Sequence, residues 1–295
     1  MITLKELYRP KTFYLDGNIK LSSSAPDYLS ELYHENTKMH ANDVRPWLAP
    51  LLPTGLTAMS VKTFFQRSVA SFKKYDGYPA LELPPIEAKH EAGSLWDVIQ
   101  RRRCQRDYSD TPIDCNALAQ MLQFGYGPTG TFTGNGNEVS LRAAPSAGAL
   151  YPLEIYPLIN NVAGIKNGLY HYNVPDNSIE CLRSGTLLPE MYSLIQPNNN
   201  EWLATAGAVF FVTAAFKRNQ IKYGDRGYRG VLLDAGHVSQ NILLAATALN
   251  YSACIIVACL DDPMNDFLQI DGVEESILFA ISLGSPDMEK TRNAD

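Results

Sequence analysis

The stretch "KYGDRGYRGVLLDAGHVSQNILLAATAL", residues 222–249, decides the fold. Val231, Ala235, Val238, Ile242, Ala245 and Leu249 follow one another at intervals of 4, 3, 4, 3 and 4. That spacing is one stripe of an α-helix, so it predicts a helix over 231–249 with its apolar side inward. Gly236, Ser239, Ala246 and Ala248 are small enough to let another backbone come close, which makes this helix central. Its approach carries Lys222, Tyr223, Asp225, Arg226 and Arg229. If the helix runs unbroken, residues 222, 226 and 229 share a face. Two readings stand: an ion-pair cluster at the surface, or a group of charges placed for chemistry.

Outward from this helix lie apolar runs of strand length. "GAVFFVTAAF" (207–216), "ACIIVACL" (253–260) and "ILFAISLG" (277–284) are rich in Val, Ile and Phe, as buried strands are. Residues 153–159 add a strand, and "GLYHYNVPDNSIECL" (168–182) reads as a hairpin turning at Pro175, Asp176 and Asn177. The expectation is a central, mainly antiparallel sheet of four or five strands, flanked by helices without a regular βαβ repeat. The class is α+β.

Residues 1–93 differ. Prolines break "RPWLAPLLPTG" and "YPALELPPIEAKHEAG" into short pieces, while "APDYLSELYHENTKMH" (25–40) has helical spacing. A boundary near Gly93 divides this extension from 94–295. Ser94 can cap a helix in "SLWDVIQRRRCQRDYS", with Leu95, Trp96, Val98 and Ile99 as its inner face. "CNALAQMLQFGYG" reads as a second helix stopping at Gly125, and "PTGTFTGNGNEVSLRA" (128–143) as a glycine-rich loop.

Bulk properties exclude several classes. Of 295 residues, 45% are hydrophobic and 19% charged, which supports a sizeable core. A net charge of -6 argues against broad binding of nucleic acid. No apolar run is long enough for a membrane span. The opening "MITLKELYRPKTFYLDGNIK" lacks an apolar signal core, so the expected location is cytoplasmic. Five cysteines and five histidines stand at no metal-ligand spacing, so no metal is expected and the cysteines read as free thiols.

Two further stretches carry chemistry. "RRRCQRDYSD" (101–110) holds four arginines within six residues. Cations this close repel, and guanidinium forks fit phosphate oxygens; a solvated basic helix end is the plain alternative. On a helix, Arg102 and Arg106 share a face. "APSAGALYP" (144–152) combines Pro145 and Gly148 with small residues that leave its backbone accessible. It is either a loop that meets a flat polar ring or an ordinary turn before a strand. The chain has no GxGxxG and no GxxxxGK[ST], so neither a Rossmann site nor a P-loop is supported.

These stretches, in order, resemble the flavin-dependent nitroreductase superfamily. The arginine segment, the Pro-Ser-x-Gly-Ala-Leu-Tyr-Pro loop, the Lys-Tyr segment with its helix, and the late "LGSP" (283–286) are most similar to the SagB-type or McbC-like azoline dehydrogenases. The likeness covers about 94–287, with a weaker echo at 32–38. It implies a nitroreductase-like fold and FMN bound without a covalent bond at a homodimer interface. It places Arg102, Arg103, Cys104 and Arg106 at the FMN phosphate and ring. Pro145, Ser146 and Gly148 fall under the isoalloxazine, Gln240 and Asn241 beside it, and Gly284 and Ser285 near the phosphate. The family usually has serine where this chain has Cys104, a poorer hydrogen-bond donor.

The activity implied is oxidation of thiazoline or oxazoline rings to thiazoles or oxazoles in a ribosomally made peptide. The resemblance makes Lys222 the base and Tyr223 its partner. A lysine base must be neutral, and burial with the like charges of Arg226 and Arg229 would favour that form. Cyclodehydratase subunits of a peptide-modifying complex are the implied partners. The other readings are an NAD(P)H-dependent nitro- or quinone reductase, an oxidase of a carrier-bound heterocycle, and a flavin-free scaffold subunit. His237 and Tyr151 read as packing residues, Tyr151 with a second reading as pocket lining.

Overall fold

The computed structural model describes residues 71–86, 93–134, 137–195 and 201–287, with Ser30, Tyr33, His34 and Thr37. Most of the helix expected over 25–40 therefore lies outside the described residues. Two compact units are present, Met1–Val44 and Arg45–Asp295. In the first, Thr37 donates its N–H and its hydroxyl to the Tyr33 carbonyl, at 3.1 and 2.7 Å.

Among the described residues the second unit is built on a sheet of seven antiparallel strands, more than the four or five expected. Strands β1 (Ala80–Glu82), β4 (Leu153–Ile159), β5 (Gly168–Asn173), β6 (Ser178–Ser184), β7 (Ala208–Ala215), β8 (Ser252–Ile256) and β9 (Glu275–Gly284) stand in the order β1-β6-β5-β4-β7-β9-β8. Alternation along each strand serves two cores. Phe210 and Val212 join Ile155 and Ile281 in one; Val209 and Phe211 join Leu158 and Ala280 in the other.

The first core is closed by α2 (Cys115–Tyr126) and α5 (Gly227–Ala248). The predicted stripe is where it should be: Val231, Val238 and Ile242 are fully buried. Asp114 caps α2, accepting from the N–H groups of Asn116 and Ala117 at 2.9 and 3.3 Å. Gly125 does not end that helix. It is a crossing point: a Cβ there would sit 2.4 Å from Ile242 Cγ1. The second core is covered by α3 (Leu188–Tyr192) and α6 (Asp261–Leu268).

Three other expectations change. Residues 128–142 form a hairpin, β2 (Pro128–Gly134) with β3 (Asn137–Arg142), where a loop was expected. Its threonines are strand formers, which outweighs the glycines. The first helix, α1 (Leu95–Arg101), is capped by Ser94 as expected but ends before Arg102 and Arg106, so these do not share a helix face. Only Val98 of α1 is buried; Leu95, Trp96 and Ile99, the expected inner face, are exposed, Trp96 by 78%. With so little packing, nothing carries the helix through a run of like charges. Finally, α4 (Lys217–Tyr223) is separated from α5 by Gly224 at φ 55°, ψ -145°, a backbone that favours glycine. Lys222, Arg226 and Arg229 therefore lie on no common helix.

Residues ahead of α1 strap onto the sheet. Lys73 pairs with Glu275 at 2.8 Å, and Glu275 also accepts from Tyr156 at 2.8 Å and Thr213 at 2.6 Å. The Tyr75 N–H donates to Glu180 at 3.0 Å. Glu180 belongs to a buried row across three strands: His171 Nδ1 lies 3.0 Å from Glu180, and His171 Nε2 2.9 Å from Glu154. Burial alone would lower the pKa of His171, but its hydrogen bonds to Glu154 and Glu180 outweigh this and raise it. Burial would raise Glu154; Arg218, 2.6 Å away but off the hydrogen-bond line, and His171 instead hold it down at about 2.

Candidate active site

The loop 144–152 is strained. Gly148, Ala149 and Tyr151 all have positive φ, at 68°, 53° and 46°. For the two non-glycine residues this costs on the order of 1–3 kcal/mol each, so the surroundings must impose it. They do. Ser146 Oγ accepts from the Tyr151 N–H at 2.9 Å, and Asp234 on α5 accepts from the Ala147 N–H at 3.3 Å. The Tyr151 hydroxyl accepts from the Arg142 N–H at 3.2 Å, while the Arg142 guanidinium lies over the Tyr126 and Tyr151 rings. Tyr151 is thus a clamp on the loop, 4% exposed.

The loop presents Gly148 to α4. A Cβ on Gly148 would fall 2.5 Å from Tyr223 Oη and 2.8 Å from Lys222 Nζ. The absent side chain is what lets the lysine and the tyrosine reach the loop. Helix α4 is itself fixed by Arg218, which donates to the Tyr151 carbonyl at 3.0 Å and pairs with Glu154. Behind the loop the start of α5 lies against α4 through glycines. A Cβ on Gly230 would meet Asn219 Nδ2 at 3.1 Å and Ala147 at 3.2 Å.

Polar atoms in this floor lack partners. Both amide atoms of Asn219 and Asp234 Oδ2 are buried without a hydrogen bond among the described residues. Burial raises the pKa of Asp234 against the opposing hydrogen bonds from Ser146 and Ala147. Sequence reasoning passed over Asn219, Asp234 and Arg142. The one visible signal was a lone aspartate inside the apolar stretch "VLLDAGHV".

The expected site residues fall into two groups. Pro145, Ser146, Gly148, Lys222 and Tyr223 come together as described. Asn241 joins them indirectly, donating to the Ala143 carbonyl at 3.3 Å, whereas Gln240 is exposed on α5. The second group is the arginine segment, laid along the sheet edge. The Gln105 N–H donates to Ala253 at 3.0 Å and the Ser109 N–H to Ser285 at 2.9 Å. Gly284 and Ser285 support this segment from behind: a Cβ on Gly284 would lie 2.6 Å from the Tyr108 ring. Arg103 donates to the carbonyls of Gln100 and Arg102, and Arg106 lies 5.6 Å over Trp202. Among the described residues no carboxylate is paired with Arg102, Arg103 or Arg106. Three arginines with no paired carboxylate among the described residues, and a glycine-floored loop with unpartnered polar atoms, fit an anionic, planar polar cofactor. His237 is exposed, not packed as expected.

The sequence profile of the nitroreductase family matches residues 99–285, which include both groups. The chain belongs to the nitroreductase family. MJ1384 of Methanocaldococcus jannaschii, named as a nitroreductase candidate, is 33% identical over 64% of this chain and 89% of its own. The trifolitoxin-processing protein TfxB of Rhizobium leguminosarum bv. trifolii is 25% identical over 81% of this chain, which spans 60% of TfxB. The microcin B17-processing protein McbC of Escherichia coli is 29% identical over 36% of this chain and 40% of its own. Among solved structures, a nitroreductase candidate from Anabaena variabilis superposes with a TM-score of 0.66 at 27% identity, over 86% of this chain and 46% of that one. A chain of the E. coli microcin synthetase McbBCD complex with truncated pro-MccB17 shares the fold, with a TM-score of 0.53 at 17% identity, over 88% and 92%. The nitroreductase fold expected from the sequence is the one present. Among the described residues no helix is long and apolar enough to cross a membrane, and no cluster of His, Cys, Asp and Glu suits a metal.

Proposed function

We propose that this nitroreductase-family chain is an FMN-dependent azoline dehydrogenase, oxidising thiazoline or oxazoline rings in a modified peptide. The observation that carries the proposal is the meeting of Lys222 Nζ and Tyr223 Oη over side-chain-free Gly148. Bound FMN would supply the redox chemistry by accepting a hydride. Everything else falls to the chain. Arg102, Arg103 and Arg106 hold the phosphate, beside Cys104, with Gly284 and Ser285 behind them. Pro145, Ser146 and Gly148 meet the flat ring, and Gln240 and Asn241 border it. Lys222 removes the proton from the ring carbon that was a peptide Cα, and Tyr223 hydrogen-bonds the ring nitrogen. Arg218 fixes the helix that delivers both, and Asp234 keeps the loop in its strained form.

The processing roles in the names of TfxB and McbC support a peptide substrate, and the McbBCD assembly supports partners of the cyclodehydratase kind; the location we propose is the cytoplasm. We divide the chain at 93 into an extension and the oxidase domain, 94–295. Leu95, Trp96 and Ile99 of α1 and Leu232 and Leu233 of α5 are exposed apolar side chains available to a homodimer. The likeness to MJ1384 favours a second reading, a nitro- or quinone reductase using NAD(P)H.

The test starts with the visible absorbance of purified protein and mass spectrometry of what denaturation releases. FMN at one per chain, with turnover of an azoline peptide, supports the proposal. FMN with turnover only of NAD(P)H and a nitroaromatic supports the reductase. No flavin, even after FMN is added, refutes both.

A further inference from the structure

Cys104 and Cys254 meet at the arginine segment. The hydrogen bond from the Gln105 N–H to the Ala253 carbonyl, 3.0 Å, joins the peptide units 104–105 and 253–254. That backbone hydrogen bond sets Cys104 and Cys254 on the two peptide units it joins, the neighbourhood a disulfide requires. The Cys104 and Cys254 side chains lie close enough to influence one another, as do Cys254 and the Arg106 guanidinium. Ser252 ties the same spot down, donating to Gln105 Oε1 at 3.3 Å. The pair is asymmetric: Cys104 is exposed, whereas Cys254 is only 1% exposed. Arg102 Nη1 lies 3.9 Å from the Cys104 sulfur.

We propose that Cys104 and Cys254 are a reversible dithiol site that hydrogen peroxide closes to a disulfide and a bound phosphate group shields. The shielding rests on the FMN reading above; the bridge does not. Exposed Cys104 meets the oxidant first. Its sulfur takes one oxygen from peroxide, giving a sulfenic acid and one water. The Cys254 sulfur then attacks that sulfur, the S–O bond breaks, and a second water leaves. Two thiols are oxidised and one peroxide is reduced. Burial pushes the Cys254 thiol up to about 11, which keeps it from leading the reaction but leaves it placed to finish it. An anion gripped by Arg102 would cover Cys104, so the flavin-bound protein should resist.

The experiment treats the full chain with hydrogen peroxide, with and without added FMN, and counts thiols. The proposal expects the count to fall from five to three, a mapped 104–254 bridge, and return to five with dithiothreitol. At FMN about a hundred times its Kd, bridging should slow about a hundredfold, because only the flavin-free fraction reacts. Cys104→Ser and Cys254→Ser, checked for folding by circular dichroism, should each abolish it. A product that keeps Cys254 free and carries oxygen on Cys104 overturns the bridge. Bridging at an unchanged rate, with bound FMN seen by absorbance, overturns the shielding. Failure of FMN to bind at all removes the flavin reading, while the bridge is still scored in the same sample.

Discussion

Two polar clusters lie on either side of α4, and they are built on opposite rules. On one side, His171 stands between Glu154 and Glu180, and Lys73 between Glu275 and the tyrosines, in regular strands with nearly every group paired. On the other, the loop at Gly148 holds two non-glycine residues at positive φ above unpartnered Asn219 and Asp234 atoms. Pairing and regular backbone are what stability selects. Strain and unspent hydrogen-bonding capacity are tolerated where a ligand is to complete them. Arg218 belongs to both: it neutralises Glu154 and carries the helix of Lys222.

The contrast can be broken by substitution. Lys222→Ala should leave flavin content and melting temperature unchanged and lower azoline oxidation about 10²–10⁴-fold, the usual span for a lost proton-transfer group. A stable, fully active variant would move the chemistry elsewhere. Glu154→Ala should do the reverse of Lys222→Ala in kind. It leaves Arg218 and His171 without their buried partner, so unfolding free energy in urea should drop by about 3–5 kcal/mol. A loss below 1 kcal/mol would mean the row is not structural. Gly148→Ala forces a Cβ against Tyr223 and Lys222 at an unfavourable φ. It should cost about 1 kcal/mol of stability, small beside its loss of activity.

The smallest effect expected is one of pH. The folded-state pKa of His171 is raised, so its protonated form stabilises the fold fully below the unfolded value of about 6.5. That contribution fades as pH rises through the folded value. Glu154 acts in the opposite sense: its contribution is fully present above the unfolded value, is lost as pH falls from there toward about 2, and so does not change between pH 6 and pH 9. Denaturant midpoints compared between pH 6 and pH 9 should therefore fall more in the natural chain than in His171→Gln. Parallel curves would show that folding does not shift the pKa of His171.

The sequence revealed one of these clusters better than the other. The α5 stripe, the apolar strands and the order of three motifs could be read directly, because each depends on local periodicity or spacing. The row of His171, Glu154 and Glu180 could not. Each is a lone polar residue in an apolar run, and what pairs them is strand register, which depends on the whole sheet. The convergence of Lys222 on Gly148 was likewise hidden. It came only through resemblance, since the break at Gly224 removes the helical face that spacing suggested. The hairpin at 128–142 was misread because glycine was weighted above threonine.

The strap from Lys73 to Glu82 has a consequence of its own. Strand β6 would otherwise be the rim of the sheet, with a free row of backbone donors and acceptors open to another chain. Ala80, Leu81 and Glu82 pair with Glu180, Ile179 and Ser178, and so cover part of that rim with three residues. The rim is thus guarded by residues that precede the catalytic domain as we divide it. Protein cut at residue 93 would keep every proposed catalytic group and lose its guard, and its characteristic failure would be self-association through β6 and precipitation.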